Sequence, residues 1–386
     1  MTKSLSVLIS FLVLAFIQIS CNPLSTGVFS KKTVREKYED KLQKDSGKNN
    51  PVVNAWLNAA EYSLNNPLRI QPTYYEYGRF SATIPTATSL KIFVKRGQKL
   101  VVKLNKTSAR PYAVYMDLWH AADSTTGAGL AYILAADTAI NSLEYIAEKD
   151  EKLIVRYQPQ ISSDGSYSIS ISPTASFVFP IAATAKSNIG SFWGAGRDGG
   201  MRKHEGIDIF APAKSPAVAV SDGYITSVSE NTLGGKVIFM HPDNSNYNVY
   251  YAHLHQQLVT QGQRVKAGEI IGLTGNTGNA KSTASHLHFG IYTFSGAIDP
   301  LAFVEKRMET AIKLEHKVLN PMMITSRTTK VYADLSLLQP IATFNKDIKL
   351  QAEAFNGKYY RVILPDGRKA FAEAKNLVIQ KVIKNS

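Results

Sequence analysis

The sequence predicts a mainly β chain with several units in series. Three observations carry that prediction. Short runs rich in Val, Ile, Tyr, Thr and Phe recur along the chain, such as Ser166-Tyr167-Ser168-Ile169-Ser170-Ile171, which alternates polar and apolar residues. Turn pairs of the hairpin type, Asp164-Gly165, Asn356-Gly357 and Asp366-Gly367, punctuate them. The length of 386 residues leaves room for two or three domains, and 44% hydrophobic with 19% charged residues is ordinary for folded domains.

The start of the chain reads differently. Met1-Thr2-Lys3 is basic, and Leu5 to Ile19 is almost wholly apolar. That run is about fifteen residues, short of the ~20 a membrane-spanning helix needs, and fits the core of a signal peptide over residues 1–20. It ends Gln18-Ile19-Ser20-Cys21, and Cys21 is the chain's 1 cysteine, which excludes an intramolecular disulfide. A small residue before a lone Cys resembles a bacterial lipobox, with Gln18 where Leu is usual. The resemblance implies lipidation of Cys21 and a membrane anchor at the cell envelope: the periplasmic side of a bacterial membrane, the outer one favoured, or the cell surface. An ordinary cleaved signal with an incidental Cys is the alternative.

Residues 21–50 are polar and read as a tether, with a helix around Thr33 to Lys44. In 51–73, Pro51 to Leu64 spaces Val52, Val53, Trp56, Leu57, Ala60 and Leu64 for one apolar helix face, and Asn65-Asn66-Pro67 stops it. Residues 74–172 become short strands: Arg79 to Ile84, Ser89 to Lys95, Lys99 to Leu104, Ala113 to Trp119, Lys152 to Gln158 and Gly165 to Ser172. That density predicts a β-sandwich. It resembles the jelly-roll domains attached to secreted bacterial peptidases. His120 and Asp123 fall in it and read as loop residues. Pro173 to Ser176 reads as a linker into a unit over 177–310. There, Ala217 to Val220, Gly223 to Ser229, Gly235 to Met240 and Asn248 to His253 are strands, and the polar run Gly272 to Thr283 is a loop. Asp299-Pro300 opens a helix to about His316, itself read as a surface residue. Over 320–383, Lys330 to Tyr332, Gln351 to Ala354, Tyr359 to Val362 and Lys369 to Phe371 form a small β unit. The stretches Tyr359-Tyr360-Arg361-Val362 and Gly367-Arg368-Lys369-Ala370-Phe371 resemble a bacterial SH3-like barrel.

The chemistry concentrates between Phe192 and Tyr292. The chain has 8 His, and four of them fall in three short motifs: His204-Glu205-Gly206-Ile207-Asp208, Tyr251-Ala252-His253-Leu254 and His286-Leu287-His288-Phe289. The first and last read as strands. Residues two or four apart on a strand share a face, so His204 with Asp208, and His286 with His288, can point into one cleft. Imidazole and carboxylate suit zinc, and a catalytic site uses three protein ligands. Five candidates exceed three, and surplus histidines can serve as acid or base. Glu205, at odd spacing from His204, faces away.

These residues also resemble the M23 family of zinc peptidoglycan endopeptidases, the lysostaphin and LytM group. The likeness covers about Phe177 to Glu305 and continues through Gly190-Ser191-Phe192-Trp193-Gly194, Ala211-Pro212, Asp222-Gly223, Gly262-Gln263-Arg264-Val265, Gly268-Glu269-Ile270-Ile271-Gly272 and Gly275-Asn276-Thr277-Gly278. Lys214-Ser215 replaces the family's usual Gly-Thr. The resemblance implies an antiparallel β-sheet catalytic domain with Zn²⁺ held by His204, Asp208 and His288. It also implies two catalytic histidines, His253 and His286. The role preferred here for His286 is to take the water's proton, with His253 at the oxyanion, a division the motifs leave open. The implied substrate is the peptide cross-links of peptidoglycan, attacked by a monomer. All five positions are filled, so a non-catalytic regulator of cell-wall amidases, or a wall-binding envelope protein, stands only as the alternative.

A net charge of +14 and a pI near 9.5 favour anionic partners. No zinc finger, helix-turn-helix or RNP-type aromatic pattern accompanies that charge, which excludes nucleic acid as the expected partner.

Overall fold

The computed structural model describes residues 31–123, 125–305, 319–335 and 339–379. The signal-peptide reading, Cys21 and His316 lie outside the described residues. The fold is mainly β.

The helix expected near Thr33 spans Val34–Ser46, started by a capping box between Thr33 and Glu36. It belongs to the folded body: Tyr38 stacks on Tyr115 with ring centroids 5.1 Å apart and meets the Trp56 edge at 5.5 Å. The next helix, Pro51–Asn65, is capped by the Asn50 side chain and buries Val53, Trp56, Ala60 and Leu64. Val52, placed by periodicity on the apolar face, is exposed.

Behind these helices stand two facing sheets. One runs Leu68–Arg69, Thr88–Val94, Glu151–Pro159, Val114–His120, Ala131–Ala135. The other contains Tyr74–Phe80, Gly165–Ala175, Gln98–Thr107 and Ser142–Ile146. Leu90, Ile92, Leu100, Val102, Leu118, Val155, Ile169 and Ile171 fill the space between them, each side chain contributing about 1.5–3 kcal/mol by leaving water. After the two-residue strand Leu68–Arg69, the first long strand of this unit is Tyr74–Phe80, ahead of the expected Arg79 to Ile84. Tyr74, Glu76 and Phe80 alternate inward there, a pattern in which Glu76 obscures the apolar period. The last strand reaches Ala175, which pairs with Gln98, so most of the expected linker is strand. His120 lies at the end of Val114–His120, with Nδ1 2.8 Å from Glu151.

The C-terminal strands form where expected, including both Asx-Gly hairpins. Their sheet is continuous with the sandwich: Lys349–Phe355 pairs with Tyr74–Phe80 through Tyr77↔Phe355 and Gly78↔Ala354. Tyr359 and Phe371 enter the sandwich core. Between the two halves lies a buried polar knot. The Glu76 carboxylate accepts from Tyr74, Tyr157 and Tyr167 hydroxyls and from Arg361 Nη1 at 2.6 Å. Arg361 also donates to both Tyr157 and Tyr167 and, through Nε, to Glu353, which pairs in turn with Lys369.

The unit between them is built on a third sheet, whose path runs Asn188–Ser191, Ile207–Phe210, His286–Thr293, Asn248–Gln257, Gly235–Pro242, Gly223–Asn231, Arg264–Val265. Ile207, Ile209, Leu287, Phe289 and Tyr251 form its core face. Ile270–Thr274 extends the strand run into the stretch expected as a loop. Phe303, on the short helix Leu301–Val304, joins this unit to the sandwich. It packs on Phe177 and Tyr247, and a Cβ on Gly97 would lie 2.3 Å from its ring.

Candidate metal centre

Strand register explains how the site assembles. Asp208 pairs with His288, and His288 with Ala252, across three adjacent strands. Paired residues share a face, opposite the face where Ile207, Ile209, Leu287 and Phe289 enter the core. His286 lies two residues before His288 on that same side. His204 is not in the strand with Asp208, as four-residue spacing suggested. It sits in the loop before Ile207–Phe210. Gly206 lets that loop press on the sheet: a Cβ there would meet Phe289 O at 2.5 Å and the His288 ring at 2.7 Å. Glu205 lies in the same loop and is exposed, not on the opposite face of a strand as its odd spacing predicts.

His204 Nε2, Asp208 Oδ1 and His288 Nδ1 lie 3.0 Å from one another. A tetrahedral zinc with bonds near 2.0–2.1 Å sets its ligand atoms about 3.3 Å apart, so this triangle needs to open only slightly to hold one. All three side chains are largely buried. Two of them are also held from outside the triangle. His204 Nδ1 donates to Phe192 O at 2.9 Å, which turns Nε2 toward Asp208 and His288. Asp208 Oδ2 accepts from Arg197 Nη2 at 2.6 Å, and the same nitrogen reaches Ser191 Oγ at 2.8 Å. Burial opposes the Asp208 charge, yet hydrogen bonds from His204 and His288 overcome it and hold the carboxyl well below its usual range. Burial lowers His288 as well. A deprotonated donor set is what a cation requires. Sequence reasoning missed Arg197. It stands in a glycine-rich hairpin eleven residues before Asp208, with no motif to mark it.

The remaining two histidines border this triangle. Their ring centroids are 5.0 Å apart, and that of His253 is 5.9 Å from that of His288. His253 presents a puzzle of parity. Tyr251 faces the core, so strict alternation would send His253 there too. Its backbone instead adopts φ +61°, in the left-handed region, which turns the side chain to the cleft. Such a conformation in a non-glycine residue costs on the order of 1–3 kcal/mol and marks functional sites. Each imidazole donates from Nδ1 to a backbone carbonyl: His253 to Thr277 O at 2.9 Å, His286 to Ala284 O at 2.8 Å. A carbonyl can only accept, so in each neutral ring the proton sits on Nδ1 and Nε2 carries the lone pair. Burial pushes His253 down to about 4, keeping it neutral.

Three inward donor atoms beside two lone-pair histidines, on the sheet face opposite the core, have the make-up of a mononuclear metallohydrolase centre. Comparison with known proteins agrees with that class. Residues 202–300, which contain all five side chains, match the model of peptidase family M23. The glycyl-glycine endopeptidase ALE-1 of Staphylococcus capitis is 41% identical over 107 residues, covering 26% of this chain and 29% of that protein. The peptidoglycan DD-endopeptidase ShyC of Vibrio cholerae is 37% identical over 91 residues, covering 24% of this chain and 20% of that protein. The chain thus spans less than a third of the length of either relative. Among solved structures, the catalytic domain of the antimicrobial peptidase lysostaphin from Staphylococcus simulans is 34% identical, with 31% of this chain and 92% of that one covered and a TM-score of 0.28.

Proposed function

We propose that this protein is a zinc metalloendopeptidase that hydrolyses peptide cross-links of bacterial peptidoglycan. The observation that carries the proposal is the triangle of His204 Nε2, Asp208 Oδ1 and His288 Nδ1 beside two histidines with free Nε2 atoms, inside the segment that matches the M23 model. When bound, zinc supplies Lewis acidity, lowering the pKa of water and polarising a carbonyl.

This chain's residues do the rest. His204, Asp208 and His288 fix the ion on the sheet, and Phe192 O and Arg197 fix two of those ligands in turn. Both cleft histidines begin as proton acceptors at Nε2. Both rings carry the same Nδ1 bond to a carbonyl, so each can take the water's proton at Nε2, and the ring that has gained it can pass it to the leaving amine.

The relatives' names include two bonds, a DD bond and a glycyl-glycine bond, so the cross-link cleaved here is assigned only as a peptide bond of the wall. Lipidation of Cys21 would place the enzyme at the envelope, facing that polymer. The jelly-roll-like and SH3-like readings of the flanking strands fit a body that holds the peptidase at the wall. The proposal is tested by incubating purified protein with isolated sacculi and separating the released fragments. Conversion of cross-linked muropeptide dimers to monomers is expected. Intact cross-links after incubation with fully metal-loaded protein would turn the reading toward a non-catalytic wall protein.

A further inference from the structure

We infer that Thr277 is the positioning residue that sets the tautomer and direction of His253. The inference rests on the peptidase reading above. Every polar atom of Thr277 except its backbone nitrogen is engaged around that histidine. Its carbonyl accepts from His253 Nδ1 at 2.9 Å. Its hydroxyl donates to Leu254 O at 2.9 Å and accepts from Lys236 N–H at 3.0 Å. Lys236 and Leu254 are register partners on neighbouring strands. The hydroxyl therefore bridges the ladder beside the residue whose φ of +61° breaks the alternation.

Two glycines make room for this bridge. A Cβ at Gly235 would come 2.2 Å from Thr277 Oγ1, and a Cβ at Gly278 would come 2.3 Å from Gly235 N. The loop therefore locks against the Gly234–Gly235 turn, and His253 N–H donates to Gly234 O at 2.7 Å on the same side. The hydroxyl fixes where the Thr277 carbonyl stands. The carbonyl fixes the proton on Nδ1, and so leaves Nε2 open to the cleft.

The test compares Thr277→Val, which keeps the shape and removes both hydroxyl bonds, with Thr277→Ser, which keeps them. Thr277→Val is expected to lower kcat at least about tenfold with KM within about twofold, and Thr277→Ser to recover most of the loss, because small misplacements of a reacting group act on turnover. Metal content and melting temperature are read for both variants, and zinc at the wild-type level separates positioning from a collapsed site. A second readout is the long-range proton–nitrogen NMR spectrum of the His253 ring in the unsubstituted protein, which is expected to show the Nδ1–H tautomer. An Nε2–H ring, or two tautomers in exchange, overturns the inference even if Thr277→Val does not fold. So does full turnover by Thr277→Val where His253→Ala is inactive. Absence of hydrolysis by the unsubstituted enzyme would count against the peptidase reading instead, and the NMR result would still decide the role of Thr277.

Discussion

Two buried polar clusters in this molecule are built on opposite principles. Around Glu76 and Arg361 every donor meets an acceptor: three tyrosine hydroxyls and a guanidinium close on one carboxylate, and Glu353 with Lys369 takes up the remainder. Around His204, Asp208 and His288 three atoms that are lone-pair acceptors when deprotonated converge to 3.0 Å, while the outer atoms of His204 and Asp208 are tied to Phe192 O and Arg197. The first arrangement is complete in itself and holds two parts of the fold together. The second turns three donor atoms toward one point, as a group that could hold a metal ion does. A closed network of buried charge is architecture. Convergence of like donor atoms is a binding site.

Substitutions can break that contrast. The largest effect is expected at the open cluster. Asp208→Ala or His204→Ala should abolish both zinc binding, read by elemental analysis, and wall hydrolysis, read by fragment release. Next come the two cleft histidines. His253→Ala and His286→Ala should each keep the metal and lose about 10²–10⁴ in kcat. A variant that lost its metal instead would move that histidine into the ligand set.

At the closed cluster the expected effect is on stability alone. Arg361→Met leaves Glu76 buried without its cation, which costs about 3–5 kcal/mol. Denaturant unfolding should show the loss, with turnover per folded molecule unchanged. The smallest effect is that of pH on the same cluster. Burial opposes the Glu353 charge, but Lys369 and Arg361 overcome it and hold the carboxyl below its ordinary 4.5. A lowered folded-state pKa means a contribution present above pH 4.5 and lost as pH falls below it. Acid melts of the parent protein should show that loss, and Arg361→Met should show less of it.

How far the sequence revealed this structure follows from the range of each interaction. His286 and His288 share a face through strand alternation, which two residues' spacing displays. The Asn356-Gly357 and Asp366-Gly367 hairpins are local as well, and both formed as read. The side to which His253 points was not legible, because alternation aims it at the core and a left-handed φ reverses it. Four-residue spacing puts His204 on the strand of Asp208, but Gly206 allows a loop to carry it. Arg361 and Glu76 are 285 residues apart. No periodicity records such a pairing, so the C-terminal strands read as a separate barrel while their sheet runs on into the sandwich.

The most direct test of the central claim measures zinc content and fragment release on one preparation, with Asp208→Ala alongside. The account predicts about one zinc per chain, as a single three-ligand site holds, with cross-linked dimers converted to monomers and both properties lost in the variant. Hydrolysis that persists in Asp208→Ala, or metal-loaded parent protein that leaves every cross-link intact, would contradict it.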